Sequence, residues 1–529
     1  MRSMKPNMRG SDMSDSLAKL YQEITKERGE PLDTWEIAAL LEVYGIRDID
    51  AKEYGYADVF ELAKALWRYK NIKSYPKRSL TAQQPPPPFK IRVRKNFIKG
   101  LAFAMPMLLQ SVATIFFGFA LWSNIHMDVT EATIIALSTF LAMILTGGPA
   151  QVIGRKGLYY LKMNEDILAA KIIELLFGIS MLKILFISLL FVVFNWIFGV
   201  LDWHLFIIFI TMFFLLSTLF LSVSIYYVFE EYEKILYFFF YGLGWVFLLH
   251  YLLGFEYLQA QFWALAILDA SIIYFAYKKL QDLRNKTQSE GEILPRPSML
   301  VYTLIPFFVY GFLYFLFLTI DRLIAWNANS TNQGFFLWFD ARYEVGSDLA
   351  LLVFVILMGV VEVVVYEFLY KLNDKVFSYS VFEFEQFNRS FLEFYKKVNT
   401  IFIVVTFLSI IGVYALVALL LNFVEERALP FGGYGVFVFF VGSLAFAFLA
   451  NGLMNALILF SFSRQKVVVK GAFFAVLVNF VLGMVLSRIL EPYFAVLGLL
   501  AGSVVFWYVT FRFLIKMFGK LDYYYYSAY

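Results

Sequence analysis

The sequence predicts an all-α polytopic membrane protein: about twelve transmembrane helices in two six-helix lobes, behind a small N-terminal helical cytoplasmic domain. Three observations carry that expectation: an apolar composition, a series of span-length apolar segments, and basic residues that fall on one side of those segments. Of 529 residues, 60% are hydrophobic and 20% aromatic, with 61 Phe and 34 Tyr, and mean hydropathy is +0.68. A soluble domain does not carry that composition. There is no Cys, so neither a disulfide framework nor thiolate chemistry is available.

Residues 1–80 are of a different material. Ser14-Asp15-Ser16 suits a cap for a helix with Leu17, Leu20, Tyr21 and Ile24 at helical spacing. Asp33-Thr34 suits a second cap, ahead of Trp35, Ile37, Ala38, Leu40 and Leu41. A third helix is expected over Val59, Phe60, Leu62, Ala63, Leu66 and Trp67. Such a domain precedes the first span, so no signal peptide and a cytoplasmic N-terminus are expected. It suits either docking to a partner or stabilisation.

Residues 81–99 read as a linker. Pro85–Pro88 form a short polyproline spacer, and Lys90–Lys99 (KIRVRKNFIK) alternates base with apolar residues beside the anionic cytoplasmic leaflet. That position makes the run a topology signal, and no nucleic-acid partner is expected. Twelve spans follow near 100–122, 132–153, 173–198, 204–228, 235–254, 257–277, 299–324, 347–370, 399–423, 434–461, 467–488 and 493–516. The first lobe is residues 100–280, the cytoplasmic connecting loop 281–298, and the second lobe 299–520.

Even-numbered loops hold the bases, such as Arg155, Lys156, Lys162 and Lys171, then Lys278, Lys279, Arg284 and Lys286. Odd-numbered loops are almost bare of base: NIHMDVTE, GVLDW and GFEYLQ hold none, and that side carries Arg342, Arg427 and Arg488, with Arg322 at a helix end. The positive-inside rule therefore puts both termini in the cytoplasm, in a multi-pass protein of the cytoplasmic (inner) membrane. Six spans per half is an even number, which gives parallel repeats. An echo supports this: Pro106, Gln110 and Thr114 in span one match Pro306, Tyr310 and Tyr314 in span seven. The run VFSYSVFEFEQFNRSFLEFYKKV, between spans eight and nine, reads as a helix lying in the interface. In the loop after span seven, Asn329–Thr331 (NST) forms a sequon.

The chain is organised around Thr303–Trp326, a span that ends in Asp321, Arg322 and Trp326. These three either anchor the helix end in the headgroups or gate a transport path between the lobes. Ionisable groups inside a bilayer are costly and so are functional candidates. Lys183 and Asp269 both fall near the midplane and are expected to form a structural ion pair. Glu362 has no base at its depth in its own lobe, so it is expected to face a lumen or a hydroxyl such as Tyr366. Glu367 and Glu174 fall near the cytoplasmic boundary, where they can snorkel. Asn451 and Asn455, one turn apart, read as interhelical hydrogen bonding or as a sugar-binding stripe. His126, His204 and His250 are scattered and read as packing residues.

Several chemistries are not supported. No Walker A loop appears, no His/Asp/Glu group has metal-ligand spacing, and no cofactor is implied. The first outer loop is too short for a glycosyltransferase using lipid-linked donors, and His250 lacks the partner of a membrane acyltransferase. Neither an enzyme nor a catalytic residue is expected.

Three stretches carry a resemblance: TIDRLIAW, TGGPAQVIGRKGLYYL, and VVYEFLYKLNDKVFSYSVFEFEQFNRSFLEFY. With twelve spans in two parallel lobes, they resemble the Pel-type exopolysaccharide exporter of the multidrug, oligosaccharide-lipid and polysaccharide flippase superfamily, over roughly residues 95–520. The resemblance implies export of a partly cationic amino-sugar polymer between the lobes. It also implies partners: a cytoplasmic glycosyltransferase (the polysaccharide synthase) and other membrane subunits. A path for such a polymer would suit Glu362, Asp321, Tyr310 and Tyr314. The alternatives are a lipid-linked oligosaccharide flippase, a cation-coupled drug exporter, a sugar-modifying enzyme, or a subunit that anchors a synthase.

Overall fold

The computed structural model describes residues 10–25, 31, 34–72, 87–163, 165–285, 297–329, 337–376, 383–420 and 431–527. The chain divides into two units, Met1–Pro88 and Phe89–Tyr529.

The first unit holds helices α1 (Gly10–Thr25), α2 (Thr34–Val43), α3 (Asp48–Ala51) and α4 (Val59–Ile72). Its core is the apolar set expected from spacing: Leu20, Tyr21 and Ile24 meet Ile37, Leu41, Leu62 and Leu66. Ser14–Ser16 lie inside α1 rather than at its start. Asp33 lies outside the described residues. A cap is present on α4, where Asp58 Oδ1 accepts from the Glu61 amide at 2.7 Å.

The second unit is a bundle. In chain order it comprises α5 (Phe89–Phe117), α6 (Val129–Lys162), α7 (Asp166–Phe198), α8 (Trp203–Val228), α9 (Tyr232–Phe247), α10 (Tyr257–Asn285) and α11 (Pro297–Asn329). It continues with α12 (Ala341–Val376), α13 (Phe384–Leu420), α14 (Gly433–Ser461), α15 (Gln465–Ile489), α16 (Ala495–Phe518) and the short α17 (Leu521–Tyr526). Among the described residues, the eleven helices from α6 to α16 are long and apolar enough to cross a membrane. The first expected span occupies the second part of α5. Helices are the outcome because a bilayer leaves no water to satisfy backbone groups, and each span closes its own hydrogen bonds.

Two boundaries differ from expectation. Residues Lys90–Lys99 are not linker but the opening turns of α5, where Asn96 donates to the Arg92 carbonyl at 2.9 Å. The aromatic run before span nine is not a separate interfacial helix. From Phe384 onward it is the start of α13, with Phe387, Phe391 and Tyr395 buried against Phe368 and Phe518. Burying those rings in protein removes more apolar surface than laying one face on lipid headgroups. Residues 377–382, the sequon's Ser330 and Thr331, and Pro295 lie outside the described residues.

Pairing order shows the repeat directly. In the first lobe α6 packs on α7 and α8, α10 on α8 and α9, and α5 on α9. In the second, α12 packs on α13 and α14, α16 on α14 and α15, and α11 on α15. Each lobe has its own core. The lobes meet along two seams related by the same repeat, α6 on α11 and α5 on α12. Glycines set the approach. A Cβ on Gly311 would run into the Gly147 carbonyl, and one on Gly100 would lie 2.5 Å from the Met358 carbonyl. Gly147 and Gly148 are therefore the crossing point of α6, with Pro149 next to them inside the same helix.

Candidate functional site

Charged side chains gather at both ends of the seams. At the end where α11 finishes and α12 begins, the loops are poor in base. Asp321, Arg322 and Trp326 share the last turns of α11, but they do not face headgroups: Trp326 is 0% exposed, Asp321 1% and Arg322 6%. Arg322 pairs with Glu344 at 2.5 Å and Asp348 at 2.9 Å, both from the first turns of α12. The other Glu344 oxygen accepts the Trp326 indole N–H at 2.9 Å. The Tyr343 hydroxyl donates to Asp321 at 2.8 Å. The first lobe closes the cluster. Phe140 of α6 stacks on Trp326 with ring centroids 5.3 Å apart, and the Arg322 guanidinium lies 5.7 Å from the centre of the Phe140 ring.

So the anchor reading of Trp326 gives way: its N–H is spent on a buried carboxylate. Sequence reasoning misses Glu344, Asp348, Tyr343 and Phe140. A signal is present, since Glu344 and Asp348 stand one turn apart, but a span drawn from 347 leaves Glu344 in a loop.

At the basic end, Glu362 lies part-buried on α12, one turn beyond Gly359. The charged groups acting on it are Lys99, Glu230 and Lys162, all from the first lobe. Its counter-charge thus comes across the seam rather than from its own lobe. Lys99 itself pairs with Glu230 at 3.1 Å. Beside them, Arg92 of α5 forms a two-pronged pair with Glu367 of α12, at 2.8 and 2.9 Å, and its guanidinium lies over the Tyr370 ring. Glu367 does not snorkel; it is an inter-lobe clasp.

The other sequence candidates lie away from these clusters. Gln110 accepts from the Leu121 amide at 2.9 Å and so holds the α5–α6 turn. Tyr310 is buried in the second-lobe core against Phe460, with Tyr314 stacked on it at 6.0 Å. Asn451 joins Asn399 at 2.7 Å and Trp507 at 3.2 Å, and Asn455 accepts from Tyr395 at 2.7 Å. Asn451 thus links α14 to α13 and α16, and Asn455 links α14 to α13. His250 stacks on Tyr257.

Lys183 and Asp269 do not form the expected ion pair. Lys183 turns toward α6 and α11, donating to the Leu145 carbonyl at 3.3 Å with its ammonium 4.7 Å from the Phe308 ring centre. Asp269 is buried, and neither of its oxygens has a hydrogen-bond partner among the described residues. Similar depth does not bring them together because α10 turns Asp269 into the lobe's interior while α7 turns Lys183 to its neighbours' faces. No group of three or more His, Cys, Asp or Glu that could hold a metal occurs among the described residues.

Comparison with known proteins places this geometry. Residues 98–526 match the PelG family, described as "Putative exopolysaccharide Exporter (EPS-E)". No curated protein matches the chain in sequence. Among solved structures, a MOP superfamily transporter from Pyrococcus furiosus aligns with a TM-score of 0.55 at 11% identity, over 82% of this chain and 97% of that one. A MATE transporter from Vibrio cholerae aligns with a TM-score of 0.58 at 10% identity, over 83% and 98%. At that identity the likeness is one of fold: two lobes of a MATE-like transporter.

Proposed function

The chain belongs to the PelG family of exopolysaccharide exporters, and from that membership we propose that it carries a partly cationic, amino-sugar polysaccharide across the cytoplasmic membrane between its two lobes. The observation that supports this most is the acid-rich end of the seam, where Asp321, Glu344 and Asp348 surround Arg322. Three carboxylates against one guanidinium leave that end net negative, with Asp348 the part-exposed acid among them, and such an end favours cations over anions. Glu362 would play the matching part at the other end. In this reading a glycosyltransferase delivers the growing chain to the basic face.

Glu362→Gln keeps the side chain's shape and removes its charge. A charged contact is worth roughly 1.5–3 kcal/mol, so secretion should fall roughly tenfold or more. Secreted polymer is measured at matched protein level, and unchanged secretion would make Glu362 a packing residue. Orientation has its own check. With both termini cytoplasmic, a reporter active only outside the cytoplasm stays silent after Lys520 and works when inserted at Asn329. The opposite pattern rejects the assigned polarity.

A further inference from the structure

A cavity of 740 Å³ opens between α8, α9 and α10 at the basic face, inside the first lobe. Its lining is ordered by depth. Lys234 lies near the start of α9, and Phe238 follows one turn deeper. Lys278 and Lys279 lie near the end of α10, and Phe275 precedes them by one turn. Each helix therefore sets lysine at the mouth and phenylalanine below it. The two rings are 6.1 Å apart, and Tyr226 closes the floor against Phe238 at 5.3 Å.

Glu231, in the α8–α9 turn, orders the mouth. It pairs with Lys234 at 3.0 Å and Lys279 at 2.6 Å, and the Lys279 ammonium stands 4.0 Å from the Phe229 ring centre. Burial alone would raise the Glu231 carboxyl, but the two ammoniums outweigh it and hold it below its ordinary value. Lys278 is exposed, and three lysines at the mouth face two acids, Asp282 and Glu231, which leaves one positive charge over. The mouth is thus net positive. On α9, Tyr237 and Phe240 add exposed rings of the kind acyl chains would cover.

We propose that this cavity binds the phosphate headgroup of an anionic phospholipid from the leaflet on the basic side, with the Phe238–Phe275 wall receiving the start of its acyl chains. A cationic rim over an aromatic wall at the membrane boundary fits a molecule with that same sequence of chemistry. A cavity of this size also falls within the range of small-molecule sites. None of its lining residues belongs to a seam cluster, and the α8–α9 turn links the two: Glu231 serves this mouth and Glu230 pairs with Lys99 at the seam.

The test uses the full-length protein in detergent, with native mass spectrometry of bound phosphatidylglycerol and phosphatidylethanolamine of matched chains. Phosphatidylglycerol should be retained preferentially. Lys278→Gln should cut that preference roughly fivefold, and Lys234→Gln with Lys278→Gln should cut it further, at about that factor per lysine. Lys396→Gln with Lys397→Gln, exposed bases on α13, should leave it unchanged. Equal retention of the two lipids overturns the proposal, and so does an undiminished preference in the Lys278 variant. An equal loss in the α13 control would also overturn it, by showing general surface attraction. Displacement by millimolar glycerol phosphate would assign the site to a free phosphate and reject the lipid.

Discussion

Glu344 holds the base-poor cluster together with its two oxygens, one on Arg322 and one on the Trp326 indole. Removing the carboxylate leaves a buried guanidinium with less counter-charge and an indole N–H without its acceptor. Breaking such a pair costs about 3–5 kcal/mol. Glu344→Ala should therefore lower the thermal midpoint and the membrane level of the protein, and Glu344→Gln, which still accepts from Trp326, should lower them less. Equal and small effects, read by thermal unfolding in detergent, would show that the cluster is not structural. The sequence displays half of this site. Asp321, Arg322 and Trp326 stand out because charge at the end of an apolar span is conspicuous. Their partners on α12 do not, since nothing in a linear chain says that two helix ends face each other. Glu362 is legible for the same reason as Arg322, and its counter-charges from the first lobe are not. Lys183 and Asp269 show the limit: equal depth says nothing about which way a helix turns a side chain.

At the scale of elements, the α6–α11 crossing depends on backbone contact between Gly147 and Gly311. Gly154, two turns further along α6, meets nothing within 4 Å of an added Cβ. Gly147→Leu should force the lobes apart at a cost of about 1–3 kcal/mol, whereas Gly154→Leu should be close to neutral. Secretion and thermal midpoint measured side by side check this, and equal tolerance of both substitutions would remove the close crossing from the account. Helix positions are readable because span-length apolar runs leave few choices: α8 and α14 fall within a residue of expectation. The extensions of α5 and α13 beyond the bilayer are not readable. A run of mixed base and aromatic residues fits a linker, a surface helix or a buried helix start equally well until its neighbours are known. The glycine pair Gly147–Gly148 is visible in the chain without its purpose, because close approach is a property of two helices.

For the whole molecule, the repeat is legible from span parity and from a weak echo around Pro106 and Pro306, and the pairing of helices bears it out. Which helices form the seams is beyond the sequence, as is any role for Met1–Pro88 past its helical core. If cargo passes between the lobes, as proposed, they must part at the Phe140–Trp326 contact. The chain has no Cys, which makes introduced thiols the only ones present. In a Met143→Cys, Leu323→Cys protein, which replaces two part-buried side chains of the same α6–α11 cluster and leaves Phe140, Trp326 and Glu344 in place, joining the two positions with a short bis-maleimide in membranes should stop polymer secretion, while the untreated variant and each treated single-cysteine variant keep secreting. Undiminished secretion from fully cross-linked protein would contradict a path between the lobes.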